Sequence, residues 1–142
     1  LGIADVVKVK QGKDYMNKDG KRIENRELTL PPYRQRSYAY LSDTVYDPPL
    51  AAQVKGVDLL FHEATFSDKD EKLAKETMHS TATQAADIAK NAEVHKLLIG
   101  HFSSRYKDPG LLIQEAREVF KNTEGVNDGD VHSIPLERCS TE

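Results

Sequence analysis

The chain has 142 residues, about the modal size of one domain, with 38% hydrophobic and 30% charged residues and a mean hydropathy of −0.63. The formal charge of −3 excludes a basic footprint for nucleic acid over the whole chain, so any RNA contact must be local or come from residues outside it. The single cysteine, Cys139, cannot form an internal disulfide, and no apolar run reaches the roughly 18 residues that span a bilayer; a reducing, cytoplasmic setting with no membrane contact is expected. No signal peptide is visible, and Leu1 in place of Met is what a processed or truncated product would show.

Residues 1–36 are charged and poorly periodic. Asn17-Lys18-Asp19-Gly20 reads as a turn joining two short strands, because Asp-Gly supports positive φ, and Pro31-Pro32 marks a linker. From residue 37 onward strands and helices alternate. Ser37 to Ser42 is an aromatic-rich strand. Asp47-Pro48 opens a short helix that Gly56 closes. Val57 to Phe61 is an apolar run of the kind buried on both faces of a parallel sheet. A helix with a weak apolar face is expected over 67–75, and a clearer one over 81–92. There Thr81 and Gln84 have capping-box spacing, and Ala82, Ala85, Ala86 and Ala89 form a stripe of small residues. Lys96 to Gly100 is the next strand, Asp108-Pro109 starts an amphipathic helix, and Val131 to Ile134 reads as a last strand. This alternation argues for an α/β fold with a parallel or mixed sheet and crossover helices, occupying 37–142 after the N-terminal segment 1–36.

Ligands of open α/β sheets gather beyond the carboxyl ends of strands. Asp43 follows the first strand of this region, His62 and Glu63 end the second, and His101 follows the third. Carboxylate and imidazole together suit a metal-dependent hydrolase, because a carboxylate can bridge two ions and neutral imidazole ligates zinc. His79 stands just before a helix, where free N–H groups favour an anion. A phosphate beside His79, Ser80 and Thr81 would be well placed, with His79 as proton donor. Blander readings stand beside these. Asp43 could cap a turn, His62 is more often a packed histidine than a ligand, and Glu63 alone would be an exposed carboxylate. Arg105 could pair with an acid, Tyr106 could pack under its loop, and His95 and His132 read as surface residues.

Four motifs taken together change the weighing: Tyr40-Leu41-Ser42-Asp43-Thr44, Phe61-His62-Glu63-Ala64-Thr65-Phe66, His79-Ser80-Thr81-Ala82-Thr83-Gln84-Ala85-Ala86 and Gly100-His101-Phe102-Ser103-Ser104-Arg105-Tyr106. In order and spacing they resemble the C-terminal half of ribonuclease Z, the tRNA 3′-processing endonuclease of the metallo-β-lactamase superfamily. The resemblance covers most of the chain and weakens after about Phe120. It implies one half of an αβ/βα sandwich, a sheet with its helices. It makes Asp43 the carboxylate bridging two zinc ions and His101 a terminal ligand. His79, oriented by Glu63, would meet the scissile phosphate and protonate the leaving oxygen. Ser80, Ser103 and Arg105 would contact substrate, Arg105 at a phosphate, and Tyr106 would help shape the loop.

One departure qualifies this. The superfamily's His-x-His-x-Asp-His motif and a further histidine ligand are absent from these 142 residues, and the family's basic tRNA-gripping arm lies outside this half or is not visible in it. Asp43 and His101 alone fall short of the three protein ligands of a catalytic zinc. The expectation is therefore a zinc-dependent endoribonuclease of precursor tRNA, present as a fragment inactive alone. Its partner would be an N-terminal half or a second copy, giving a homodimer or strand exchange. The alternatives are a related metallo-β-lactamase-fold phosphodiesterase or arylsulfatase-like hydrolase, and a non-catalytic interaction module.

Overall fold

The computed structural model describes residues 1–140. They divide into two compact units, residues 1–35 with 135–140, and Arg36–Ile134.

In the first unit, helix α1 (Ile3–Lys10) precedes a two-stranded antiparallel hairpin of β1 (Tyr15–Met16) and β2 (Arg22–Ile23), followed by a single helical turn, α2 (Asn25–Leu28). The hairpin turn lies where Asn17-Lys18-Asp19-Gly20 places it. Gly20 takes φ 76°, and the Asn17 side-chain oxygen accepts from the backbone N–H of Asp19 and Lys21. The two helices were not expected. Val6, Val7 and Val9 alternate with lysines, and Val9 alone among helical residues of this unit is buried, so the segment carries little periodic signal. Asn25 holds the unit together by donating to the carbonyls of Val9 (2.6 Å) and Lys13 (3.1 Å). Tyr33 pairs with Arg138 in an isolated antiparallel bridge.

The second unit is a four-stranded sheet in the order β3 (Tyr38–Leu41), β4 (Leu59–Glu63), β5 (Lys96–Gly100), β6 (Thr123–Gly125), with every pairing parallel. The connections contain α3 (Leu50–Gln53), then a 3₁₀ turn (Asp68–Asp70) leading into α4 (Glu71–Glu76) and α5 (Ala82–Asn91), then α6 (Gly110–Val119). The expected last strand is corrected. Residues 131–134 are irregular, and the fourth strand is Thr123–Gly125, docked by Leu97 N–H to the Asn122 carbonyl and Val126 N–H to the Ile99 carbonyl.

Leu60, Leu97 and Ile99 on the sheet, Ala51 and Val54 at α3, the α5 stripe, and Leu112 and Ala116 on α6 form one buried cluster. The alanines of α5 are fully buried, and their small side chains bring the helix close to the strands. Enlarging one would force the packing apart, at a cost of about 1–3 kcal/mol. Thr81 caps the helix as its spacing predicts. Its hydroxyl accepts from Gln84 N–H (3.2 Å), and its own N–H donates to the Gln84 side chain (3.0 Å). The opposite sheet face is only partly covered. Tyr38 and Tyr40 are 55% and 61% exposed, and Tyr40 stacks on Phe61 with centroids 4.6 Å apart. Among the described residues, no helix is long and apolar enough to cross a membrane.

Candidate metal centre

The carboxyl ends of β3, β4 and β5 lie side by side because Leu41 pairs with His62 and Glu63 with Gly100. Asp43 and His101 leave their strands at once through left-handed backbone, φ 49° and 60°, and Met78 before His79 takes φ 62°. Such φ values are uncommon for residues other than glycine, and they cluster here at the turns that aim the polar side chains. The loops are also stitched to one another. Phe66 N–H donates to the Ser80 carbonyl and Ala82 N–H to the Phe66 carbonyl, which continues β4 alongside the 79–81 segment. Ala64 N–H donates to the Gly100 carbonyl and Ser103 N–H to the Thr65 carbonyl.

Within this frame Asp43, His79 and His101 each offer a ligand atom, and the three atoms lie within 4.8 Å of one another. The His101 Nε2 stands 3.5 Å from an Asp43 carboxylate oxygen, and the two histidine rings are 5.3 Å apart. Two donors on one tetrahedral zinc, each at about 2.0–2.1 Å, would be about 3.4 Å apart, so the Asp43–His101 spacing fits a shared ion. The donor set, one carboxylate and imidazole nitrogen, is also of the kind zinc accepts. Asp43 and His101 are both exposed, which leaves the site open on one side.

Glu63 is fully buried and meets four donors. One oxygen accepts from His79 Nδ1 (2.8 Å) and Thr44 N–H (3.1 Å); the other accepts from Thr65 N–H (3.1 Å) and the Thr65 hydroxyl (2.7 Å). A carboxylate so surrounded is satisfied in place of water, and it fixes the His79 ring with Nε2 left for a ligand or substrate. The exposed-carboxylate reading of Glu63 is therefore replaced.

The remaining expected residues fall differently. His62 is fully buried on the sheet face it shares with Leu60, and its Nδ1 donates to the Glu63 carbonyl at 2.7 Å. Burial holds its imidazole below the usual range, against the pull of that carbonyl and of the Glu63 charge, so it is the packed histidine of the simpler reading. Ser80, expected at substrate, is turned inward. It is fully buried, and its hydroxyl donates to the Thr44 carbonyl (2.7 Å), tying two loops. Arg105, expected at a phosphate, sits 3.6 Å from Asp70 and over the Phe66 ring (5.3 Å), the pairing with an acid that its position also allowed. Ser103 accepts weakly from Arg105 N–H at 3.4 Å, and Tyr106 packs under the loop with its hydroxyl bonded to Asp70. His95 is on the surface but beside Asp58, 3.4 Å away. Motif membership was the only sequence signal for Thr44 and Thr65.

The family described as Beta-lactamase superfamily domain matches residues 7–102. The chain belongs to that superfamily. It is 51% identical over 123 residues to ribonuclease Z of Phocaeicola vulgatus, covering 87% of this chain and 40% of that protein. It is 49% identical over 128 residues to ribonuclease Z of Porphyromonas gingivalis, covering 90% and 42%. The short form of human tRNase Z superposes with a TM-score of 0.56 at 29% identity, over 80% of this chain and 37% of that one. The metallo-beta-lactamase fold protein YhfI of Bacillus subtilis gives 0.60 at 24% identity, over 66% and 37%, a likeness of fold. The metallo-β-lactamase α/β architecture and the likeness to ribonuclease Z thus stand as read from the motifs. The chain spans about 40% of the length of the curated relatives it matches.

Proposed function

We propose that this chain forms one half of a zinc-dependent endoribonuclease that removes 3′ trailers from precursor tRNA, and that it is inactive until the other half of the fold joins it. The observation that carries the reading is the meeting of Asp43, His79 and His101 above a buried Glu63. About half identity to proteins named ribonuclease Z supports the substrate class.

Asp43 and His101 would hold zinc through a carboxylate oxygen and Nε2. Zinc, when bound, supplies Lewis-acid polarisation of the phosphodiester and a water made acidic enough to attack it. His79 faces the scissile phosphate through Nε2 while Glu63 grips Nδ1–H. With Nδ1 held by Glu63, Nε2 is the atom of His79 through which a proton would pass to the leaving oxygen. Two protein ligands are fewer than the three usual for catalytic zinc, which is why a complementing half or a second copy is part of the proposal. The partly bare sheet face with Tyr38, Tyr40 and Phe61 is where a second sheet would rest.

The test is cleavage of a precursor tRNA with zinc, by this chain alone and with the complementing half. Chelator-sensitive cleavage only in the complemented sample is expected. Efficient cleavage by the chain alone would overturn its inactivity. Turnover of small phosphodiesters without tRNA cleavage would move the enzyme to another branch of the superfamily.

A further inference from the structure

The carboxylate that orients His79 also reaches His101, through one hydroxyl. Thr65 Oγ1 lies 2.7 Å from Glu63 Oε2 and 2.9 Å from His101 Nδ1. We propose that Thr65 is a positioning residue whose hydroxyl sets the tautomer and ring orientation of His101, so that Glu63 governs both imidazoles of the site. This rests on the reading of His101 as a zinc ligand given above.

Hydrogen-bond bookkeeping decides the direction. A threonine hydroxyl has one proton to donate and lone pairs to accept with. Both oxygens of Glu63 already receive protein N–H groups, so the carboxylate takes the Thr65 proton. The hydroxyl is then the acceptor for His101, whose proton must sit on Nδ1. His101 Nε2 is thereby left as a bare lone pair directed toward Asp43, 3.5 Å away. Two acceptors at that distance repel unless a cation lies between them, so the tautomer set by Thr65 is the one that ligates. Partners of this kind orient metal-bound histidines generally and raise their basicity.

Thr65 is itself held against rotation. It is buried, its N–H is fixed on Glu63, and its carbonyl accepts from Ser103 N–H at 3.0 Å. The result is one fork. Glu63 Oε1 binds His79 directly, and Glu63 Oε2 reaches His101 at one remove. The segment Glu63-Ala64-Thr65 is short enough to close this fork locally, with Ala64 buried in the core as the pivot.

The variants Thr65→Val, which keeps shape and loses the hydroxyl, and Thr65→Ser, which keeps the hydroxyl, separate positioning from packing. Nitrogen-15 chemical shifts of the His101 ring in the metal-free full chain should report Nδ1–H in the wild type and Thr65→Ser, and a shift toward Nε2–H in Thr65→Val. Zinc affinity by chelator competition should fall 10–100-fold, on the order of other such partners, in Thr65→Val and stay near wild type in Thr65→Ser. An unchanged tautomer and affinity in Thr65→Val, or failure of Thr65→Ser to restore them, would overturn the proposal. Neither readout involves RNA. A wild-type chain that shows this tautomer and binds zinc, yet leaves precursor tRNA intact when mixed with the complementing half, refutes the tRNA reading and leaves the role of Thr65 standing.

Discussion

The helix-covered face of the sheet and the rim at its carboxyl ends are built from the same strands by opposite physics. Beneath α5 and α6 the contacts are apolar, fully buried and non-directional: Leu60, Leu97, Ile99, Leu112 and the alanine stripe. At the rim the contacts are directional, with Glu63, Thr44, Thr65, Ser80 and His79 linked by hydrogen bonds between 2.7 and 3.1 Å. The core supplies stability and tolerates exchange of similar shapes. The rim supplies angle and distance, and a change of one atom there alters what the site can hold.

Core and rim meet at Glu63, and the largest effect is expected there. Glu63→Ala strands four donors in a buried site and should cost about 3–5 kcal/mol, more than its hydrophobic neighbours, with loss of the His79 orientation. Denaturant unfolding measures the first effect, and ring shifts of His79 the second. A cost below about 1 kcal/mol would mean that water satisfies those donors and the site is not dry. Leu97→Ala should cost about 2–5 kcal/mol by leaving a cavity, while the His79 and His101 ring signals keep their wild-type positions. Movement of those signals would show that the core, not the rim, sets the site's geometry.

Smaller effects separate strain that serves the site from strain that does not. Glu93, after the end of α5, takes φ 54°, far from the three strained turns of the rim. Glu93→Gly removes that strain and should raise stability by about 0.5–1 kcal/mol in thermal unfolding, leaving zinc affinity unchanged. A destabilised Glu93→Gly would place the origin of its conformation in side-chain contacts. The smallest effect is at Tyr46, whose hydroxyl donates to Asp87 and whose pKa is pushed up to about 12 by that bond first and by burial second. A phenol raised in the folded state adds stability in full below about pH 10 and loses it as pH rises from about 10 to about 12. The difference in melting temperature between the wild type and Tyr46→Phe should therefore shrink across that window, modestly because the pair is partly solvated. A constant difference would show that the bond does not depend on the proton.

The regular elements were legible where local signals agreed. Strand β5 coincides with the apolar run 96–100, α5 with its capping box and alanine stripe, and the first hairpin with its Asp-Gly turn. β6 was hidden because Thr123-Glu124-Gly125 has no apolar alternation. Pairing with β5 makes it a strand, whereas the β-prone residues 131–134 find no ladder. In the candidate site, residue types at strand ends pointed to Asp43 and His101, and the position before a helix pointed to His79. Ser80 and Arg105 carried the same kind of signal but turned to Thr44 and Asp70, because nothing in a motif specifies which way a short loop aims its side chain.

Strand and helix periodicity count residues along the chain, so local pattern alone sets a carboxylate and imidazoles at successive strand ends. The burial of Glu63, its link through Thr65 to His101, and the 3.5 Å between Asp43 and His101 come instead from the packing of whole elements. The link from Thr65 to His101 spans 36 positions, and that from Asp43 to His101 is longer still, both made by parallel pairing and left-handed turns. Hydrogen bonds that short-circuit such distances depend on the packing of whole elements, which no local pattern encodes.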